Sequence, residues 1–168
     1  YISDRGGVSL NGTIYHDLLI TNEPFVPPAT FYPDGNIQTI TTTHFHSEDN
    51  VLIDSVRLYA VASSGALIDV TVSDINGARI FSQITGSQYL SLIPAESSVA
   101  LVNEKWEVNW GFDVQWDWDD EDEIIWNSLA VDEAGYGISP YTAKSGGAGY
   151  KAVENDLTIT EFMVFDEF

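Results

Sequence analysis

Two groups of residues in this chain have the types and spacing that chemistry requires. The first is an acidic run: Asp117, Asp119, Asp120, Glu121, Asp122 and Glu123 put six carboxylates into seven positions. Like charges about 6 Å apart repel by roughly 0.7 kcal/mol per pair even in water, so the crowding favours a bound cation. Hard cations prefer oxygen ligands, and calcium accepts about six to eight of them in flexible geometry. The six acids are therefore candidate calcium ligands. Their spacing is not that of an EF-hand, which needs a glycine and a distal glutamate at fixed loop positions. The plain alternative is a solvated acidic loop.

The second group is His44 and His46 in the stretch IQTITTTHFH. Its threonines and isoleucines favour a strand, on which residues two apart share a face. HxH on a strand resembles the opening of a cupin-type metal site, and cupins are jelly rolls. Here Glu48 follows too closely, the cupin glycine frame is missing and no histidine occurs downstream. The pair reads instead as imidazoles at a surface or an edge strand. Nothing else suggests catalysis: there is no nucleophile elbow, no phosphate-cradling glycine loop and no zinc-protease helix. No one pair of carboxylates stands out as a glycosidase pair.

Composition narrows the partners. Six Lys plus Arg against 26 Asp plus Glu give a net charge of -20. Such a surface repels phosphate backbones and anionic lipid, so neither nucleic acid nor a membrane is an expected partner. No run approaches the roughly 18 apolar residues of a membrane span. Cysteine is absent, which removes disulfides and thiolate metal sites. The chain begins at Tyr1 rather than methionine, which reads as a processed form or an excised fragment.

The element expected to position these groups is the stretch WEVNWGFDVQWDW, residues 106–118. Its even positions are Trp106, Val108, Trp110, Phe112, Val114, Trp116 and Trp118. A period of two predicts a strand with all seven on one face, pressed into a core beneath a second sheet. Gly111 is the expected bend or close backbone approach. Upstream, residues 51–62, 66–74 and 78–84 alternate as strands, with Asn76-Gly77 predicted as a two-residue hairpin turn. Strand segments continue through 86–94, 96–102 and 124–131. This spacing of short strands predicts an all-β, single-domain antiparallel β-sandwich, jelly-roll-like in kind.

At the ends the pattern loosens. Residues 1–36 hold four prolines between 24 and 33 and read as an extended arm, followed by the sandwich domain over 37–168. Phe25, Phe31 and Tyr32 would anchor that arm on its own domain or on a neighbour. The loop over 132–152 is rich in glycine and carries Tyr136, Tyr141 and Tyr150 as candidate contacts to sugar rings or a protein partner. The last strand, ending at Phe168, is apolar on both sides, which calls for cover from its own layers or another copy.

These features together suggest a non-catalytic structural subunit of an extracellular or virion assembly, self-associating as a homo-oligomer or larger array. A calcium-dependent carbohydrate-binding module is the alternative.

Overall fold

A computed structural model describes residues 20–133, 140–147 and 151–155. They form β1 (Ile20–Asn22), β2 (Gln38–His46), β3 (Ile53–Ala62), β4 (Leu67–Ser73), β5 (Ile80–Thr85), β6 (Leu90–Leu92), β7 (Ser98–Val102), β8 (Lys105–Val114), β9 (Ile124–Asp132) and β10 (Tyr141–Ser145). Short 3-10 turns lie at Asn50–Leu52 and Pro94–Glu96. All strand pairings are antiparallel, in two five-stranded sheets packed as a sandwich. One sheet runs β1-β2-β8-β6, with β7 also on β8; the other runs β10-β9-β3-β4-β5. No helix among the described residues is long and apolar enough to cross a membrane.

The tryptophan-bearing strand is β8. Trp106, Val108, Trp110, Phe112 and Val114 all point inward and are buried. Opposite them on β2 lie His44, Thr42 and Ile40, in register with Trp106, Val108 and Trp110. The other sheet supplies Val56, Leu58 and Ala60 from β3, and Ile124, Trp126 and Ala130 from β9. Phe112 meets Trp126 with ring centroids 6.3 Å apart, and Phe81 stands edge-on to Trp110 at 5.6 Å.

The alternation of apolar residues outlasts the strand. β8 stops at Val114, and the chain turns so that the Trp118 N–H donates to the Gln115 carbonyl at 3.1 Å. The turn throws Trp116 outward, 63% exposed, and returns Trp118 to the core. Trp116 is thus not part of the buried stripe that the sequence predicts. Gly111 lies in unbroken register with β2 and is a close approach, not a bulge. A Cβ there would sit 2.6 Å from the Glu96 carbonyl oxygen. The Pro94–Glu96 turn separates β6 from β7 along the edge of β8 and presses its backbone onto that glycine.

Two turns exchange roles. Asn76-Gly77 does not make a tight hairpin. β4 and β5 are joined through residues 74–79, where Asp74 at φ 50° accepts from the N–H groups of Gly77 and Arg79 through its carbonyl. Its carboxylate also accepts from the Ala78 N–H at 2.7 Å. Ile75 is buried, and the Asn76 amide donates to the carbonyls of Val51 and Ile53, so tertiary bonds override the local turn preference. The two-residue hairpin falls between β7 and β8 at Asn103 and Glu104, with φ of 49° and 62°. Positive φ at both central positions is what a type I′ turn demands.

The histidines are not at an edge or a surface either. β2 lies between β1 and β8, and both rings face inward and are buried. The Asn22 Oδ1 accepts from the Ala130 N–H at 2.8 Å and faces His44 Nδ1 at 2.8 Å. An amide oxygen only accepts, so Nδ1 carries the proton. Nε2 then accepts from the hydroxyls of Thr42 at 3.0 Å and Ser128 at 3.2 Å, while Thr42 Oγ1 accepts from Trp110 Nε1 at 3.1 Å. This chain of bonds ties β1, β2, β8 and β9 together. Burial pushes the His44 imidazole down to about 3, so it is neutral.

Candidate interaction site

One stretch of the chain carries almost no charge. Between Arg79 and Glu104 the sequence has a single ionisable side chain from the acidic or basic set, Glu96, and residues 80–95 have none. In a chain of net charge -20 that blank is the anomaly, and it was open to inspection in the sequence. It covers β5 and β6, which lie at the margins of opposite sheets on the same side.

The margins are treated differently. β6 and β7 are capped by side chains from around β5. Gln83 Nε2 donates to the Leu90 carbonyl at 2.7 Å, and its Oε1 accepts from the Leu92 N–H at 2.9 Å, imitating a strand. Arg79 Nη1 donates to the Val99 carbonyl at 3.2 Å, with its guanidinium 5.8 Å from the centre of the Trp106 ring. β5 itself ends its sheet, and among the described residues no strand pairs with its far edge. Its inward side chains, Phe81 and Gln83, are half-buried; Ile80 and Ile84 are 52% and 61% exposed. Asp69 pairs with Thr85 and Val70 with Gln83, so Ile84 is the extra residue of a bulge, on the outer face that alternation already gives Ile80 and Ser82. Of the usual protections of an exposed edge, the strand IFSQIT has the bulge but no proline, lysine or acid.

The six acids do not converge. Asp117, Asp119 and Asp122 are exposed and point into solvent. Asp120 pairs with Lys151 and accepts from the Asn155 N–H, bonds that hold its carboxyl below the usual range. Glu123 pairs with Lys144 at 2.8 Å. Glu121 is buried, and its carboxylate accepts from the Ser63 hydroxyl and Ser64 N–H, each at 2.8 Å, the Ser64 hydroxyl, and Trp118 Nε1 at 3.0 Å. Burial raises the Glu121 pKa, but these bonds together outweigh it and hold the group lower than usual. Its role is to fasten the acidic segment to the β3–β4 hairpin. Among the described residues no three His, Asp or Glu side chains come together to hold a metal ion.

The predicted aromatic contacts divide. Phe25 and Phe31 belong to this chain's own core: Phe25 stands edge-on to Tyr141, and Phe31 packs against Trp126 at 5.6 Å and Trp118 at 6.5 Å. From Phe25, 13 residues before β2, the chain packs on its own domain, and Phe31 also joins its backbone to Val153. Tyr141 is half-buried, and Tyr32 is 47% exposed. Tyr136, Tyr150 and residues 1–19 lie outside the described residues.

A cleft of about 550 Å³ lies between residues 47–52 and the β7–β8 hairpin. Its polar groups already hold the loop: His46 Nδ1 accepts from the N–H groups of Glu48 and Asp49, Asp49 caps Val51, and Lys105 pairs with Glu23. The chain matches no known family model, and no curated protein is similar to it.

Proposed function

We propose that the protein is a non-catalytic structural subunit of an extracellular or virion assembly, a jelly-roll-like sandwich whose copies join through β5. The observation that supports this most is the uncharged β5 edge, unpaired among the described residues, with Ile80 and Ile84 exposed, in a chain of net charge -20. Copies this acidic repel one another over most of their surface, so they meet most favourably where charge is missing. An open strand edge supplies backbone donors and acceptors for that meeting, and the isoleucines supply apolar area. Association through one strand and its symmetry mate is self-complementary.

Sedimentation velocity on the intact chain across a concentration series tests the reading. Salt at about 0.5 M shortens electrostatic range to a few ångströms and should promote association, while Ile84→Lys should suppress it. A chain that stays monomeric throughout, or that associates equally well with Ile84→Lys, contradicts the proposal. A parallel run with calcium asks whether the acidic segment takes any part.

A further inference from the structure

Three segments distant in sequence meet around Trp116. Glu154 N–H donates to the Phe31 carbonyl at 3.2 Å, and the Asn155 side-chain amide donates to the carbonyls of Trp116, at 3.5 Å, and Trp118. Between them opens a cleft of about 110 Å³ lined by Tyr32, Pro33, Asp34, Trp116, Glu154 and Asn155. Trp116 and Tyr32 are 63% and 47% exposed, the two most exposed aromatic rings among the described residues. Neither ring packs against another ring of the described residues. The Asn36 side-chain and backbone N–H groups both bond the Asp34 carboxylate and keep it ionised below the usual range.

We infer that this cleft binds a small organic cation of the quaternary ammonium class between Tyr32 and Trp116, with Asp34 and Glu154 as its counter-charges. The face of an indole or phenol ring is electronegative and attracts a cation set over it. Two carboxylates among the lining residues, and no Lys or Arg, add to that attraction. An anion would be repelled by the cleft and by the whole chain. A neutral sugar would stack on the same rings and could donate hydroxyl hydrogen bonds to the two carboxylates, but it carries no charge to balance theirs. The space is equivalent to a few water molecules at about 30 Å³ each, which suits a compact headgroup better than an oligosaccharide.

The test uses the intact protein and tetramethylammonium chloride as the probe, read on the Trp116 indole N–H by NMR. Trp116→Phe assigns that signal among the five indoles. A saturable shift with a Kd on the order of 1–10 mM is expected, fitting an exposed cation–π site. Glu154→Gln and Tyr32→Leu should each weaken it several-fold, as should added salt, with the other indole signals unmoved. A signal that does not saturate, that responds equally to methyl glucoside, or that is indifferent to Glu154→Gln overturns the inference.

Discussion

The acidic segment 117–123 and the uncharged segment 80–95 stand in opposite relations to the fold. The first is dense in functional groups, yet its central member, Glu121, is buried under four hydrogen bonds, and Asp120 and Glu123 are engaged by lysines. The second has almost nothing to titrate or ligate, and it supplies an edge that no strand among the described residues pairs with. Three of the six acids, Asp120, Glu121 and Glu123, are engaged in holding the structure, while in the uncharged stretch Ile80 and Ile84 face outward.

Acid should separate the two regions with the largest effect. His44 is neutral in the fold and falls to about 3 through burial, below its ordinary 6.5. The unfolded chain therefore binds the extra proton first, and stability is lost as pH falls from about 6.5 towards 3. At about 1.4 kcal/mol per pH unit the loss reaches roughly 4 to 5 kcal/mol. Glu121 and Asp120, both depressed, add to the loss below their ordinary values of 4.5 and 3.8. Urea unfolding followed across pH should show this decline, and His44→Gln should flatten its upper part. The β5 edge has no group that titrates in that range.

Removing the buried carboxylate attacks the acidic region alone. Glu121→Ala strands the donors of Ser63, Ser64 and Trp118 and should cost about 3 kcal/mol or more in denaturant unfolding. Asp119→Ala, on an exposed neighbour, should change stability by less than about 0.5 kcal/mol. Equal effects from the two would undo the contrast between a fastening acid and its solvated neighbours.

On the uncharged side the sensitive point is Gly111, where a methyl group would meet the Glu96 carbonyl oxygen. Gly111→Ala should cost about 1 to 3 kcal/mol, read by the same unfolding measurement, because backbone rather than a flexible side chain must shift.

Much of the sandwich was legible in the sequence because its strands alternate strictly. β8 is the clearest case, its five inward residues following a period of two. The same alternation misled at Trp116, since a turn at Gln115 preserves the pattern of letters while reversing the direction of the side chain. Asn76-Gly77 misled for a related reason: bonds from Asn76 to residues about 23 to 25 positions away decide that loop. Glu121 could not be told from its five acidic neighbours, because Ser63 and Ser64 come from a distant hairpin. The unbroken lack of charge over 80–95 was visible, but only the sheet order shows that it includes a strand at the margin of the described sheet.

The central claim, that β5 is the edge through which copies join, is tested most directly by amide hydrogen exchange on the intact protein in dilute and concentrated solution. Peptides covering Ile80–Thr85 should gain protection as concentration rises, while those covering 117–123 exchange alike in both. Protection that appears only outside β5, or exchange along β5 that does not respond to concentration under conditions where the protein associates, would contradict the account.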